Sequence, residues 1–523
     1  MKRMYKLLLL SVVAAFLFTN CNQPQNENNA NNSLVHSTPE AEDVSSQAIM
    51  DFVDAANKSS AEFHSFFILR HGKVVAEAYW NPYNSSLKHS MYSVSKSFTS
   101  TAIGFAVTEK LLTVNDKVIS FFPDQLPDSI SPNLAKLEVR HLLSMSVGQS
   151  PEPLSEIVGS EDDWVKAFLA TPVVNEPGSV FLYNTLGVYV LSAIVQKVTG
   201  QKVVDYLKPR LFDPLGIEGY DWEVDPRGIN TGGWGLRLKT EDMAKFGQLL
   251  LQKGKWNGKQ IIPESWVEEA TTASIDQKPD ATKEERAKNS WVQGYGYLFW
   301  RCRHNAFRAD GAYGQYIIVM PDQDAVVAIQ AETRNMQEEI NLVWDYLFPG
   351  IKDSQLPANK KLYEQLQNKL QTLALPIPEK KVSQSLLQTL NGATFELKEN
   401  KVNWKKLSFK VNDTGQVQVT IVNDKGEYPV TFGSGEWKYG ETSLLGPNLL
   451  LHARAHYAGI EPDKIAAAYT CPDENTLKLV LRYIETPHTE TIFCKKDGNQ
   501  ITVDVEYSQP QEKIPPFAGQ IAK

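Results

Sequence analysis

Apolar and polar positions change their period several times along the chain, and those changes lay out its elements. Residues 65–80 read as two strands around the turn His71-Gly72-Lys73, because aromatic and β-branched residues fill both runs and a glycine sits between them. The next periodic stretch is apolar on nearly every side. Phe98, Ala102, Ile103, Phe105, Ala106, Val107, Leu111 and Leu112 cover most of a helix surface, which predicts a buried helix. Residues 140–148 predict a helix stopped by Gly148, and another helix runs to Gly200. Met243, Phe246, Leu249, Leu250 and Leu251 mark an amphipathic helix after the run Gly232-Gly233-Trp234-Gly235. Strand-like runs follow at 295–300, 307–311, 316–320 and 325–330, then a helix over 340–348. Strands at both ends with helices between them predict an α+β domain over about residues 47–352, with one antiparallel sheet assembled from the two chain ends.

Beyond it the period shortens. A polar helix with Leu362, Leu366, Leu370 and Leu373 leads through the proline-bearing linker 375–381 to runs that alternate residue by residue, at 417–422, 477–483 and 501–505. Such runs between Asn, Asp and Gly turns predict a small antiparallel sandwich or barrel over about 382–515. It shows no catalytic constellation, so it is expected to pack on the first domain or cover its cleft, with Trp437 and Tyr439 in its core.

The chain opens on Lys2, Arg3 and Lys6, an apolar run from Leu7 to Phe18, and Thr19-Asn20-Cys21. A charged segment before so short an apolar core is a secretory leader over 1–20 rather than a spanning helix. Its end resembles a bacterial lipoprotein signal. That resemblance implies a lipidated Cys21 and an exported protein anchored to an envelope membrane. Residues 21–46 are rich in Asn, Gln, Ser and Glu, which predicts a flexible tether.

Composition narrows the function classes. The 523 residues are 42% hydrophobic and 22% charged, as in a folded enzyme. The formal charge of -8 becomes about -11 without the leader's cations, which argues against a nucleic-acid partner. Cys302 reads as a buried thiol, whereas Cys471 and Cys494 flank two apparent strands and leave a disulfide open. No Cys/His cluster has metal-ligand spacing, so neither metal nor cofactor is expected.

Candidate chemistry concentrates at Ser93 and Lys96, which lie one helical turn apart at the head of the buried helix. A serine hydroxyl needs a neighbouring base to become a nucleophile. An exposed lysine titrates near ~10.4, so work at neutrality needs a shift of roughly three units, about 4 kcal/mol of desolvation or like-charge pressure. A core helix can supply it. The Ser93 N–H at the helix start would face an oxyanion. A second pair at this spacing, Ser85 and Lys88, lies in a polar turn with no buried helix behind it.

Taken with His71-Gly72-Lys73, Arg140-His141-Leu142-Leu143, Pro177-Gly178 through Tyr183, Val198-Thr199-Gly200 and Asp310-Gly311-Ala312-Tyr313-Gly314-Gln315, this segment resembles the serine beta-lactamase and penicillin-binding-protein superfamily. Within it the chain resembles the broad class C-related group that also holds esterases, D-amino-acid peptidases and aminohexanoate-dimer hydrolases. The resemblance implies a beta-lactamase-like fold and an acyl-enzyme on Ser93, with Lys96 as its partner and Tyr183 as second base. Ser93 and Ala312 supply the implied oxyanion N–H groups. Where the family has Tyr-x-Asn this chain has Tyr183-Asn184-Thr185, leaving open which of Asn184 and Thr185 contacts substrate. Ala309-Asp310-Gly311 stands where the family has Lys-Thr-Gly or His-Thr-Gly, which makes Asp310 and Gly311 substrate-facing. An ionised Asp310 would repel a substrate carboxylate, so weak or absent beta-lactam hydrolysis is expected unless Arg308 neutralises it. The expected substrate is a small molecule or peptide-like ester or amide. The rival is a non-catalytic penicillin-binding-like receptor of the cell envelope.

Overall fold

Strands in the first domain read as continuous apolar runs because helices cover both faces of their sheet. Seven strands build it: β1 (Val35–His36), β2 (Glu62–Arg70), β3 (Lys73–Tyr79), β4 (Trp300–Arg301), β5 (Phe307–Gly311), β6 (Gln315–Met320) and β7 (Ala325–Glu332), in the order β1-β3-β2-β7-β6-β5-β4. Only the β1–β3 pairing is parallel. The structure, a computed structural model, describes residues 32–450, 460, 462–509 and 513–522.

The helices that matter here are α1 (Ser46–Lys58), α2 (Ser95–Thr108), α3 (Val139–Leu143), α4 (Thr185–Thr199), α5 (Thr240–Leu251), α6 (Met336–Leu342) and α7 (Lys360–Gln371). Alternate strand residues enter different cores. Phe66, Ile68, Ile318 and Ile329 pack with Ile49, Phe52 and Val53 of α1 and Leu366 of α7. Phe67, Leu69, Ile317 and Ala328 pack with Phe246 and Leu249 of α5 and with the helical cluster around α2 and α4. Chain ends thus meet in one sheet, as the element order predicts.

Several local expectations differ. The run 295–300 is mostly loop, with isolated bridges from Tyr295 to Ile275 and Trp300, because Leu298 takes a left-handed backbone (φ +66°) that interrupts extension. The helix expected over 140–148 stops at Leu143, since Met145 at φ +57° cannot continue it. Residues 32–46 are not a tether: β1 pairs with β3, and the Ser46 N–H donates to the buried Glu40 carboxylate at 2.9 Å. Their polar composition is satisfied by specific partners, Lys73 Nζ lying 2.7 Å from Glu42 Oε1 among them. The leader, Cys21 and the rest of the tether lie outside the described residues. Among the described residues no helix is long and apolar enough to cross a membrane.

In the second domain ten strands follow: β8 (Thr394–Leu397), β9 (Lys406–Val411), β10 (Val417–Asn423), β11 (Gly426–Ser434), β12 (Lys438–Thr442), β13 (Asp463–Asp473), β14 (Thr476–Tyr483), β15 (Thr489–Asp497), β16 (Gln500–Tyr507) and β17 (Phe517–Ile521). The order β11-β10-β9-β8-β17-β16-β15-β14-β13 closes when Gly433–Ser434 of β11 pairs in parallel with Ala468–Tyr469 of β13. The result is a nine-stranded barrel, with β12 hydrogen-bonded to the first half of β13. Val417, Val419 and Ile421 point inward while Gln418 and Thr420 do not, which is the alternation visible in the sequence. The barrel runs past residue 515, to Ile521. Cys471 and Cys494 are free buried thiols on β13 and β15, with β14 between them. Trp437 is buried, but Tyr439 is 58% exposed and belongs to no core.

Candidate active site

The turn that carries Ser93 is fixed from both sides. A two-residue strand, His89–Ser90, pairs with Leu236–Leu238, and the Met91 N–H donates to the Leu236 carbonyl at 2.9 Å. Tyr92 then takes φ +44°, a left-handed state that costs a residue with a side chain roughly 1–3 kcal/mol and persists only where its surroundings hold it. Ser93 lies in the 3-10 turn Tyr92–Val94, just ahead of α2 rather than inside it. Ser95 Oγ donates to the Tyr92 carbonyl at 2.6 Å and accepts the Leu236 N–H at 3.2 Å, so the turn and the neighbouring strand share one hydroxyl.

Lys96 is 1% exposed, because α2 is buried on nearly all sides. Its Nζ stands 3.0 Å from Ser93 Oγ and 2.7 Å from the Gly233 carbonyl, and 4.9 Å from the centre of the Tyr183 ring. Burial pulls its pKa from an ordinary 10.5 to about 7, while the carboxylates of Glu152 and Asp310 pull the other way. A neutral amine there has two hydrogens and one lone pair. With Gly233 accepting one hydrogen, the lone pair can face the serine hydroxyl.

Tyr183 stacks on Trp300 (centroids 5.8 Å apart, planes 21°), with its ring centre 4.9 Å from Lys96 Nζ, and the Ser93 hydroxyl is among the groups that act on its phenol. Burial first, then the charge of Asp310, pushes that phenol well above its usual range, so it is protonated at neutral pH. The three side chains picked from the sequence therefore meet at one point. Gly311 completes it: a Cβ there would lie 2.2 Å from the Met91 carbonyl oxygen and 3.2 Å from the Ser93 nitrogen, so only glycine lets β5 reach the turn. Ala312 follows directly after the end of β5.

Three other expectations change. Asn184, 1% exposed, is the cap of α4: its Oδ1 accepts the Gly187 N–H at 2.7 Å and its Nδ2 donates to Gln149 Oε1 at 2.9 Å. Both ends of its amide are thus engaged inside the protein. Thr185 opens α4 with its N–H on Glu152, and its methyl packs toward Gly233. Asp310 is 7% exposed and paired with Arg308, whose Nε and Nη2 lie 3.0 and 2.9 Å from Oδ2. Burial raises the Asp310 carboxyl and Arg308 opposes that rise. Arg308 is itself 0% exposed, donates to the Ser290 carbonyl at 2.9 Å and lies 4.3 Å from the Trp291 ring centre. The neutralising exception thus holds, and repulsion by a bare Asp310 is withdrawn. At the decoy pair, Lys88 is bound to Asp221 at 2.7 Å. Cys302 is a buried thiol receiving an Arg308 N–H at 2.9 Å.

Residues not foreseen are Glu152 and the Gly233 carbonyl. Glu152 accepts from the first N–H groups of α4, at 3.0 Å from Leu186, and shares the field around Lys96. A lone glutamate between Pro151 and Pro153 carries no spacing signal, and a backbone carbonyl has none at all. No group of metal-ligating side chains stands among the described residues.

A family model described as Beta-lactamase matches residues 61–345. The chain belongs to the beta-lactamase family. It is 24% identical over 282 residues to the 6-aminohexanoate-dimer hydrolase of Paenarthrobacter ureafaciens, covering 50% of this chain and 71% of that protein. Among solved structures it is similar to a penicillin-binding protein homologue from Pyrococcus abyssi, at 16% identity and TM-score 0.45, over 90% of this chain and 99% of the other. Another such homologue, from Caulobacter crescentus, covers 60% of this chain and 99% of its own, at 14% identity and TM-score 0.47.

Proposed function

We propose that the protein hydrolyses an ester or amide through an acyl-enzyme on Ser93. The observation that carries the reading is the Lys96 amine, almost without solvent, 3.0 Å from Ser93 Oγ and shifted to a pKa of about 7. Neutral Lys96 takes the Ser93 proton as Oγ attacks the carbonyl carbon, and the N–H groups of Ser93 and Ala312 hold the oxyanion. The protonated Tyr183 phenol gives its hydrogen to the departing oxygen or nitrogen and regains one from Lys96. Water then attacks the ester by the same groups, releasing the acid and restoring Oγ–H. The relative from Paenarthrobacter, named a 6-aminohexanoate-dimer hydrolase, supports hydrolysis of a small-molecule substrate.

Beta-lactams are poor substrates on this reading, for a reason other than repulsion. Arg308, the cation beside Ala309-Asp310-Gly311, is already held by Asp310, Ser290 and Trp291, and the Ala309 side chain offers no donor to a substrate carboxylate. The leader-like start and Cys21 support a place at an envelope membrane, and palmitate labelling lost in Cys21→Ala checks this. For the chemistry, a fluorophosphonate probe should label the full chain and fail on Ser93→Ala. Undiminished labelling of that variant, or none of the natural protein, refutes the nucleophile and favours a binding protein. Rapid nitrocefin turnover refutes the specificity argument alone.

A further inference from the structure

The barrel sends one loop, residues 484–488, against the strand and turn that present the nucleophile. The Ser90 N–H donates to the Glu485 carbonyl at 2.9 Å, and the Tyr83 hydroxyl to the Thr486 carbonyl at 3.2 Å. Flanking ion pairs fix the dock: Arg482 Nη1 lies 2.6 Å from Glu62 Oε1, and Arg237 Nη1 lies 2.9 Å from Asp463 Oδ1. At the loop's end stands His488, 2% exposed. Its Nε2 is 2.5 Å from the Tyr92 hydroxyl and its Nδ1 is 2.6 Å from Glu332 Oε1, an oxygen that also accepts the Ser508 hydroxyl at 2.7 Å. The carboxylate fixes the tautomer: Nδ1 carries the hydrogen and Nε2 accepts from the tyrosine.

The same imidazole meets Tyr313 edge-on, 4.9 Å between ring centres, and Tyr92 and Tyr313 meet each other at 5.5 Å. Tyr92 precedes Ser93, and Tyr313 follows Ala312. Both tyrosines hold left-handed backbones, at φ +44° and +66°, and each adjoins one of the two residues assigned to the oxyanion, Tyr92 next to Ser93 and Tyr313 next to Ala312.

We propose that His488, oriented by Glu332, is a positioning residue supplied by the C-terminal barrel: it clamps Tyr92 and Tyr313 and so sets Ser93 Oγ and the oxyanion donors in register. This rests on the reading of Ser93 as nucleophile.

The test uses the full chain with His488→Leu, His488→Gln, Tyr92→Phe and the double variant His488→Leu/Tyr92→Phe. The readouts are fluorophosphonate labelling rate, kcat and KM on p-nitrophenyl butyrate, and Tm, with rates scaled to the folded fraction. His488→Leu should lower the labelling rate and kcat by roughly ten- to a hundredfold, the scale of a misplaced reacting group, with KM nearly unchanged. Glutamine, which can accept from Tyr92 and donate to Glu332, should recover most of the rate. Tyr92→Phe should lose a similar factor, and the double variant should lose no more than the larger single loss. Folded variants reacting at the natural rate, losses that multiply in the double variant, or no rescue by glutamine overturn the proposal. If His488→Leu does not fold, Tyr92→Phe, which removes one hydroxyl, decides alone: a natural rate refutes the clamp. Labelling that survives Ser93→Ala would instead sink the nucleophile reading.

Discussion

Lysine 96 should impose an acid limb near pH 7 on kcat/KM, and the same group should weaken the fold. At pH 7 an amine of pKa 10.5 is neutral in only about one molecule in 3000, whereas one of about 7 is neutral in roughly half, so burial multiplies the base about a thousandfold. Moving the pKa that far corresponds to about 5 kcal/mol. The sign follows from proton counting. Between about 7 and 10.5 the unfolded chain holds a proton on Lys96 that the folded chain does not, so stability rises with pH through that window; below it both states are protonated and the full cost is present. Lys96→Met removes that cost and forfeits the hydrogen bonds to Ser93 and Gly233, at about 1 kcal/mol each. The variant should therefore be dead yet more stable by about 2–3 kcal/mol near pH 6, with the gain gone at about pH 9. The assays are p-nitrophenyl ester hydrolysis from about pH 5 to 9.5 and urea denaturation of both proteins across the same range. An acid limb well below pH 6, a rate still climbing at the top of the range, or a Lys96→Met protein weaker than the natural one near pH 6 refutes the reasoning.

Tyr183→Phe should cut amide turnover roughly 10²–10³-fold but p-nitrophenyl ester turnover far less, because nitrophenolate leaves without a proton; equal losses on both substrates would contradict the assigned role. In Gly311→Ala the new methyl meets the Met91 carbonyl, so β5 and the turn must part, lowering Ser93 labelling by about 10² and stability by about 1–3 kcal/mol, as labelling kinetics and denaturation would report. Arg308→Met leaves Asp310 buried without its cation and should cost about 3–5 kcal/mol at pH 7. Because burial raises the Asp310 pKa, that loss should shrink as pH falls and the carboxyl protonates; a loss independent of pH would show that Asp310 is not the strained partner.

Local pattern carried much of the architecture. Strand β5 and the Gly200 stop of α4 lie where periodicity and turn chemistry put them, and the all-round apolar surface of α2 already implied a lysine starved of water. Ser93 and Lys96 were legible because one helical turn brings them together whatever the rest of the chain does. Asn184 was legible too, as a capping residue before a helix, had its local role been weighed above the motif it half matches. Tyr183, Asp310 and Gly311 came from motif order, which said that they converge but not which atoms each would spend on its neighbours. Arg308 claimed Asp310, and α4 claimed Asn184.

What the chain could not disclose before folding were contacts between distant segments that leave no periodic trace: Glu152 at the head of α4, the Gly233 carbonyl on Lys96, and the barrel's His488 between Glu332 and Tyr92. Hydrophobic spacing reports which face of an element is buried, because burial is a property of that element alone. A buried polar group is satisfied by whichever partner packing brings within reach, and that pairing exists only once sheet, helices and barrel have closed around it.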